Sequence, residues 1–423
     1  MNTPSFTGHE SNPAHNNKAT SPTNRRENGR GVRFAETEPA KDHQKRHRYQ
    51  QLLCLLHHQG LNVTKESLGT AKKAKKDEFY TQWADIEREM SAYLEYDPDV
   101  FRDKTILLPC DDPERSNFTK FFALHFNDFG LKKLISTSYA PNSNTGAKFY
   151  QPTPFEAENP GYDEQKSVEH GRLFTLTSDD INQDGVININ NLKWTYLEGD
   201  GDFRSEEVTK LRDEADIVVT NPPFSLFRGF VAWVMEGKKQ FSIIGNVNSI
   251  TYKETFPLIK ENLLWLGASM HNGGCEFQVP DSYPLEAAEC RVDDEGNKYI
   301  RLYNVRWFTN INHGHQHEPL QLMTIEDNFR FSKHKQIREN GYIKYDNYDA
   351  IEVPFVDAIP SDYSEAIGVP ITFLDKYNPN QFEIVRFRKG NDGKDLTYTR
   401  GGERVQPYFR IIIRRKISRT KES

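Results

Sequence analysis

The segment Asn221-Pro222-Pro223-Phe224 carries the residue types best suited to chemistry in this sequence. The side-chain oxygen of Asn221 and the carbonyl of Pro222 are two hydrogen-bond acceptors, and two consecutive prolines hold the backbone that carries them rigid. Two fixed acceptors can bind both hydrogens of a planar amino group and concentrate electron density on its nitrogen. Phe224 offers an aromatic face on which an extruded base can stack. The segment therefore predicts an enzyme that transfers a chemical group to the exocyclic amino group of a base, such as N6 of adenine.

A buried strand must position this segment. The residues directly before it, Asp216 to Thr220, read Asp-Ile-Val-Val-Thr, which is typical of a strand covered on both faces. Ligands bind beyond the carboxyl ends of the strands in open α/β sheets, so the segment falls where a substrate is expected. The alternative interpretation is that the prolines only end the strand. The quality of the strand favours the functional interpretation.

Two acidic loops upstream are candidates for a cofactor site. Asp111 and Asp112 follow a short buried strand, and a carboxylate there can pair with the cationic amino group of an amino-acid moiety. Asp202 can accept a hydrogen bond from the amino group of an adenine ring, with Phe203 beside that ring. The alternatives are that Asp111 or Asp112 caps the next helix, and that residues 198–203 form a surface turn or hold a cation.

Strand-like and helix-like segments alternate through the first part of the chain. This alternation predicts an α/β fold in which helices flank a parallel sheet. The predicted strands are 105–108, 134–137, 216–220 and 241–245, and the predicted helices include 83–94, 118–129 and 230–234. The polar segment from about 140 to 190 is predicted as an insertion or a long irregular hairpin. From about Gly267 onward, short aromatic runs and many turns predict a second, mixed α/β or mainly β domain.

Composition sets the outer limits of the molecule. The chain has 423 residues, of which 36% are hydrophobic, and residues 1–48 contain too few apolar side chains to repay the entropy of folding. We therefore predict a disordered tail at 1–48, a catalytic domain at 49–266 and a further region at 267–423. The net charge of -6 argues against a generally cationic nucleic-acid coat but allows a local basic groove.

Cysteine and hydropathy patterns indicate the compartment. The four cysteines lie far apart, at positions 54, 110, 275 and 290. Their spacing matches neither a zinc site nor a disulfide framework. No apolar run approaches the roughly 20 residues that span a bilayer, and the N-terminus lacks a signal-peptide core. His313, His315 and His317 alternate but lack further ligands at suitable spacing, so a polar loop is favoured over a metal site. These patterns predict a cytoplasmic protein that uses neither metal nor membrane.

The order of four motifs resembles that of the adenine-specific DNA methyltransferases of the EcoRI modification type. These motifs are Lys76-Asp77-Glu78-Phe79-Tyr80-Thr81, Cys110-Asp111-Asp112-Pro113, Gly201-Asp202-Phe203-Arg204-Ser205 and Asn221-Pro222-Pro223-Phe224-Ser225. The similarity runs from about Ala71 through Asn310 and, more loosely, to the C-terminus. The resemblance implies a Rossmann-like, S-adenosylmethionine-dependent catalytic domain, base flipping before methyl transfer, and a C-terminal mixed α/β target-recognition region in the gamma arrangement of amino-methyltransferases.

The resemblance also implies roles for individual residues. Phe79 to Thr81 would border the methionine part of S-adenosylmethionine, and Asp111 or Asp112 would bind its amino group. Asp202 with Phe203 would hold the adenine of the cofactor. The target base would lie against the segment 221–224.

Two features depart from the pattern of the family. The loop after the first strand lacks the usual glycines, and the second strand ends in Ser136-Thr137-Ser138 rather than in an acidic residue that could bind ribose hydroxyls. The exact cofactor contacts are therefore less well defined than the contacts to the target base.

Double-stranded DNA is the predicted partner of a monomer, and a restriction-modification or related DNA-protection role would add a cognate restriction endonuclease. Arg414, Arg415 and Lys416 lie in the last apolar run, which is predicted either as an edge strand with a phosphate-contacting tail or as a solubilising end. Arg386 to Lys389 and Lys72 to Lys76 form further basic clusters.

Two other classes of function compete with this interpretation. The Asn-Pro-Pro-aromatic turn also occurs in enzymes that methylate glutamine in proteins and in enzymes that modify ribosomal RNA, although these usually lack a long C-terminal recognition region. A non-catalytic DNA-binding protein could retain a decayed methyltransferase fold, but the intact segment 221–224 argues against it.

Overall fold

The computed structural model describes residues 79–140, 161–181, 194–270, 274–279, 283 and 290–416, and all of them lie in one compact unit that spans residues 51–423. The predicted tail at 1–48 and the basic cluster from Lys72 to Lys76 lie outside these residues. Within the described part of the chain, no helix is long and apolar enough to cross a membrane.

The strands and helices follow in chain order. The strands are β1 (Tyr80–Thr81), β2 (Thr105–Leu108), β3 (Lys133–Thr137), β4 (Arg172–Thr177), β5 (Trp194–Tyr196), β6 (Ile217–Thr220), β7 (Gln240–Asn246), β8 (Trp265–Leu266), β9 (Cys275–Val279), β10 (Cys290–Val292), β11 (Lys298–Leu302), β12 (Val305–Thr309), β13 (Ile343–Lys344), β14 (Ile351–Glu352), β15 (Ile367–Pro370), β16 (Phe382–Phe387), β17 (Tyr398–Arg400), β18 (Glu403–Val405) and β19 (Arg410–Arg415). The α-helices are α1 (Trp83–Tyr96), α2 (Asn117–Leu124), α3 (Lys166–Glu169), α4 (Glu206–Glu214), α5 (Phe227–Glu236), α6 (Phe256–Lys260), α7 (Ile325–Phe331) and α8 (Lys335–Asn340).

The largest sheet has eight strands in the order β5-β4-β3-β2-β6-β7-β12-β8. Its four central strands, β3-β2-β6-β7, are parallel. Strand β4 pairs antiparallel with β3 on one side of them, and β12 pairs antiparallel with β7 on the other. The mixed α/β fold and all four predicted strands are confirmed. Because parallel neighbours need a crossover, α2 lies between β2 and β3 in the chain, and α5 lies between β6 and β7.

Helix α2 is shorter than the helix predicted over 118–129, since it ends at Leu124 and turns follow. Its start is defined by Ser116, whose side chain accepts a hydrogen bond from the backbone N–H of Phe118 at 3.0 Å. Such an N-cap contributes about 1 kcal/mol. Phe118 and Phe122, which are one helical turn apart, are fully buried beside the central sheet. Burial of each ring contributes roughly 1.5–3 kcal/mol.

Part of the segment predicted as an irregular insertion is regular structure. Residues 172–177 form β4, which pairs with β3, while Phe174 and Leu176 point into the core. Burial alternates along Arg-Leu-Phe-Thr-Leu-Thr, with Arg172, Phe174 and Leu176 on the buried face, as expected for a strand with one face covered. The polar composition around this short run hid that period.

The central sheet continues beyond residue 266, where we placed the end of the catalytic domain. Strand β12, at 305–309, pairs with β7 and β8 and is buried throughout. Between these points in the chain, β9, β10 and β11 form a smaller antiparallel sheet together with β1. Tyr80 of β1 pairs with Gln278 of β9, so this smaller sheet joins residues 80–81 to a much later part of the chain.

A five-stranded sheet, β13-β14-β15-β19-β16, lies in the C-terminal part of the chain. The prediction of an edge strand at the end of the chain is wrong, because β19 pairs with β15 on one side and β16 on the other. Ile411, Ile412 and Ile413 are all fully buried. Three consecutive buried apolar residues are typical of an interior strand covered on both faces, and edge strands avoid such runs.

Candidate active site at the carboxyl edge of the central sheet

Asn221 lies immediately after β6, at the carboxyl edge of the parallel strands. Its side-chain N–H donates a hydrogen bond to the carbonyl oxygen of Phe79 at 2.7 Å. Its side-chain oxygen is buried and accepts no hydrogen bond from any residue that the structure describes. A buried acceptor without a donor costs about 1–3 kcal/mol, and native proteins rarely leave such an atom unused. The orientation of Asn221 therefore leaves one acceptor available for the N–H group of a ligand.

Aromatic rings surround this side of the turn. The ring of Phe79 lies 5.3 Å from that of Phe224, 5.9 Å from Phe277 and 6.2 Å from Tyr283, measured between centroids. The structure thus brings two of the predicted site segments, 79–81 and 221–224, into direct contact. Phe277 and Tyr283 were missed from the sequence, because aromatic residues so far along the chain carry no local signal that links them to this turn.

Asp111 ties three strand ends together. Its side-chain oxygens accept hydrogen bonds from the hydroxyls of Ser116 at 2.7 Å and Thr220 at 2.6 Å, and its backbone N–H donates to the carbonyl of Thr137 at 2.9 Å. Burial, which leaves this residue 5% exposed, raises the pKa of its carboxyl to about 7, although the two hydroxyl donors lower it. A carboxylate has about four lone-pair positions, so Asp111 retains acceptor capacity for a cationic group.

Asp112 has a different environment. One oxygen accepts hydrogen bonds from the backbone N–H groups of Glu114 at 2.9 Å and Arg115 at 3.1 Å, and the other forms an ion pair with Arg172 at 2.9 Å. The alternative that Asp111 or Asp112 caps the next helix is wrong, because Ser116 is the N-cap of α2 and the backbone N–H groups that donate to the Asp112 side chain lie in the turn before it. Because Arg172 already neutralises Asp112, Asp111 is the better placed of the two for a cationic amino group.

The loop at 199–203 is pressed against the end of β3. The backbone N–H of Ala140 donates to the carbonyl of Asp200 at 2.7 Å. Gly201 has a φ of 80°, and a Cβ at this position would lie 2.1 Å from the carbonyl oxygen of Ser138. Only glycine satisfies both conditions. Burial raises the pKa of the Cys110 thiol, and the charges of Asp111 and, to a smaller extent, Asp202 raise it further. Asp202 therefore lies near the residues that follow β2.

The two predicted adenine-binding residues are both engaged within the protein. The carboxylate of Asp202 accepts hydrogen bonds from the backbone N–H and the side-chain Nε of Arg204, each at 2.9 Å. Phe203 is 4% exposed, and its ring packs against those of Phe230 at 5.0 Å and Trp233 at 5.4 Å. The structure therefore places Phe203 in the core beneath α5, and its contact with a cofactor ring stays a prediction.

Two hydroxyl oxygens near this edge are buried and unbonded among the described residues, as the Asn221 oxygen is. They are the hydroxyls of Thr81 and Thr137. Thr81 belongs to β1, and Thr137 ends β3. The hydroxyl of Thr137 was not singled out from the sequence. Its signal is visible only once the tertiary structure shows that it is buried.

The basic clusters predicted to contact DNA are partly used within the protein. Arg388 and Lys389 share Asp395, at 2.7 and 2.9 Å. The Nζ of Lys416 donates to the carbonyl of Pro379 at 2.6 Å. Arg414 is exposed on β19. Contact of these residues with DNA stays a prediction.

The alternating histidines do not form a strand. His313 is buried, with its Nε2 3.0 Å from the carbonyl oxygen of Leu266, and the next four residues form a 3-10 turn. The ring of His317 stacks on that of Tyr96 with centroids 5.1 Å apart. The predicted alternative, a loop, therefore describes this segment. Within the described part of the chain, no group of three or more His, Cys, Asp and Glu residues is placed to hold a metal ion.

The parallel centre of the sheet carries a polar and aromatic site at its carboxyl edge, where open α/β sheets bind their ligands. A model of the family described as adenine-specific methyltransferase EcoRI matches residues 67–416. The chain therefore belongs to the EcoRI family of adenine-specific methyltransferases. No solved structure matches it.

Three relatives have related names. The chain is 44% identical to the type II methyltransferase M.EcoRI of Escherichia coli, over 84% of this chain and 98% of the relative. It is 35% identical to the type II methyltransferase M.MpnI of Mycoplasma pneumoniae, over 74% and 83% respectively. It is 32% identical to the type II methyltransferase M.MgeORF184P of Mycoplasma genitalium, over 82% and 98%.

Proposed function

We propose that this chain transfers the methyl group of S-adenosylmethionine to N6 of an adenine extruded from double-stranded DNA, in a restriction-modification or related protective role. The family to which the chain belongs supports adenine as the acceptor. The names of the relatives support a type II modification role. The observation that carries the proposal is the buried, unbonded side-chain oxygen of Asn221 at the carboxyl edge of the sheet.

Asn221 and Pro222 would polarise the target amino group. The Asn221 oxygen would accept one N6 hydrogen and the Pro222 carbonyl the other, which shifts electron density from the ring onto N6. Phe224, held against Phe79, would provide a face for the base. Hydrogen bonds that strengthen as charge develops on N6 would stabilise the transition state more than the ground state. When bound, S-adenosylmethionine would supply an electrophilic methyl carbon, whose bond to sulfur would break as the bond to N6 forms, leaving a neutral thioether, while N6 would release one proton to water.

The residues at the sheet edge fit this cofactor. A carboxylate at Asp111 suits a cationic amino group, and the unbonded hydroxyls of Thr81 and Thr137 suit polar groups such as the methionine carboxylate or a ribose hydroxyl. We propose Phe79 to Thr81 and Asp111 for the methionine part. Asp202, with Phe203 beneath it, is proposed for the adenine, where the turn formed with Arg204 holds its carboxylate in place. The four parallel strands and antiparallel β12 support a Rossmann-like catalytic domain.

The region from 267 to the C-terminus is proposed to read the target sequence, although it also contributes β12 to the central sheet. We further propose that the protein acts as a monomer, with a cognate endonuclease as its partner in the protective role. The presence of a second, five-stranded sheet in this region, in addition to the central sheet, supports a role beyond methyl transfer itself.

Modified-base sequencing tests the proposal. DNA from cells that express the protein should contain N6-methyladenine at one recurrent sequence, while DNA from cells with an empty vector should not. Transfer of tritium from labelled S-adenosylmethionine to a DNA duplex that carries this sequence would show that the purified chain suffices for methylation. Label that appears instead in RNA or in protein glutamine would refute the DNA assignment.

A further inference from the structure

The turn that carries Asn221 lies beside the turn that follows β7. Strands β6 and β7 are parallel neighbours, and Thr220 is in register with Ile243. The first turn of α5 is fixed against the end of β7, because the ring of Phe227 fills the space over Gly245, where a Cβ would lie 2.2 Å from that ring. The two turns therefore form one rigid rim at the carboxyl edge of the sheet.

Arg228 projects from this rim. It is exposed, and its guanidinium carbon lies 4.0 Å from the centre of the Tyr252 ring, in the segment that follows β7. Among the described residues, no carboxylate forms an ion pair with it. Stacking on a ring holds a guanidinium in place and leaves its in-plane N–H groups available to a planar or tetrahedral anion.

This arrangement differs from that of the other basic residues nearby. Lys253 pairs with Glu254 at 3.7 Å, and Arg388 and Lys389 both pair with Asp395. These side chains each have a carboxylate partner, although Arg388 and Lys389 share one, whereas among the described residues the aromatic ring alone orients Arg228. In a chain with a net charge of -6, a cation held in this way beside the catalytic turn calls for an external anion.

The segment with Tyr252 also leads toward the C-terminal sheet. Helix α6 follows it directly, and the ring of Phe256 in that helix lies 5.0 Å from the ring of Phe387 in β16. A duplex that reaches from the catalytic turn to this sheet would therefore pass over the rim. Each extruded nucleotide carries a phosphate on either side, so the backbone next to the target adenine must lie near the rim as well.

We propose that Arg228, oriented by Tyr252, binds a backbone phosphate of the DNA strand next to the extruded adenine. The proposal rests on the function proposed above and adds a positioning contact to it. Arginine binds phosphate through two parallel hydrogen bonds, which gives orientation as well as affinity. Such a contact positions the strand but reads no base, so it acts on every target sequence alike.

Salt dependence of DNA binding tests this proposal, with a duplex that carries the methylated sequence found in the sequencing experiment. Loss of one phosphate contact should lower the slope of log affinity against log salt by about 0.9 in Arg228→Ala. Arg228→Lys, which keeps the charge, should retain the slope but bind more weakly than the wild type. The matched control is Arg102→Ala, which removes an exposed arginine just before β2, at the opposite edge of the sheet.

A double-mutant cycle tests the role of the platform. Tyr252→Ala should weaken DNA binding in the same direction as Arg228→Ala, and the double variant should bind no more weakly than Arg228→Ala alone. Affinity for S-adenosylmethionine should be unchanged in all of these proteins. A slope for Arg228→Ala equal to those of the wild type and Arg102→Ala would overturn the proposal while wild-type methylation still supports the proposed function. Absence of methylation by the wild type would overturn both.

Discussion

The chemistry that we propose for this molecule depends on the side-chain amide of Asn221. Its N–H group is used to hold Phe79, and its oxygen is left for a ligand. A single side chain thus joins the segment that precedes α1 to the turn after β6 and keeps its acceptor pointed in one direction. The acceptor is oriented before substrate arrives, so little reorganisation is needed during the reaction.

Replacement of Asn221 by Ala should reduce methyl transfer by at least about 100-fold, the usual loss when one transition-state hydrogen bond is removed. Affinity for S-adenosylmethionine should fall far less than methyl transfer, because the oxygen contacts the target amine and only the bond to the Phe79 carbonyl touches the proposed cofactor segment. Single-turnover methylation and calorimetric titration measure the two quantities separately. Near-normal turnover in this variant would contradict the role assigned to Asn221.

Asp111 predicts a pH dependence for cofactor binding. Burial raises the pKa of its carboxyl to about 7, hydrogen bonds from Thr220 and Ser116 oppose that shift, and the charge of Asp112 adds to it. A cationic amino group binds the ionised form, so affinity should rise as pH increases from 5.5 to 7, approaching about tenfold per unit at the acidic end. Above about pH 8 the α-amino group of the ligand itself loses its proton, and affinity should fall again.

Calorimetric titration of S-adenosylmethionine across this range checks the prediction, with Asp111→Asn as the matched variant. The amide has nearly the same shape but does not titrate, so its affinity should be lower than that of the wild type at pH 7 and flat between pH 5.5 and 7. A wild-type profile as flat as that of Asp111→Asn would place the amino group of the cofactor elsewhere.

At the scale of elements, the loop at 199–203 shows how close packing of backbones shapes the site. Gly201 has a left-handed φ and also lies against Ser138, and a Cβ at Gly171 would lie 2.5 Å from the same carbonyl oxygen. Two glycines therefore let this loop and the start of β4 approach the end of β3. The loop can then bring Asp202 to the residues that follow β2.

Gly201→Ala should lower both the free energy of unfolding and the affinity for S-adenosylmethionine, because the methyl group would displace the loop from Ser138. Gly393→Ala is the matched control: Gly393 has a φ of 74°, but a Cβ there would meet nothing within 4 Å. The control carries only the cost of the left-handed backbone, about 1 kcal/mol. Urea unfolding and cofactor titration compare the two. Equal losses in both variants would show that the contact with Ser138 is unimportant.

At the scale of the whole molecule, one buried ion pair links the central sheet to the C-terminal part of the chain. Arg306 of β12 contacts Asp375, with Nε 3.1 Å from the carboxylate oxygen, and both side chains are largely buried. Asp375 lies in the 3-10 segment that follows β15. The C-terminal sheet, which we propose reads the target sequence, needs a defined position relative to the central sheet, and this pair helps to define it.

Asp375→Asn should destabilise the protein by about 3–5 kcal/mol, since it removes the carboxylate charge that faces the buried guanidinium of Arg306. Glu326→Gln provides the comparison, because Glu326 and Arg330 form an exposed pair on α7 that should contribute only about 0–1 kcal/mol. Denaturant unfolding monitored by tryptophan fluorescence measures both. A loss in Asp375→Asn no larger than that in Glu326→Gln would show that the pair is replaceable by solvent.

The sequence alone determined the elements with a strong local pattern. Strands 105–108 and 217–220 were predictable because their side chains are buried on both faces, so an uninterrupted apolar run is visible in one dimension. The turn at Asn221 was predictable because its chemistry lies in consecutive residues. Strand β19 was read wrongly as an edge, since the same apolar run could not reveal which neighbours would cover it.

Contacts between residues that are distant in the chain could not be predicted from the sequence. The contact of Phe79 with Asn221, the burial of the Thr81 and Thr137 hydroxyls, and the stacking of Arg228 on Tyr252 join residues from separate elements. Such contacts depend on how the sheets pack around the core. The local periodicity that predicts a helix or a strand contains no information about that packing. The chemistry was therefore readable from the sequence, whereas the surroundings that orient it became visible only in three dimensions.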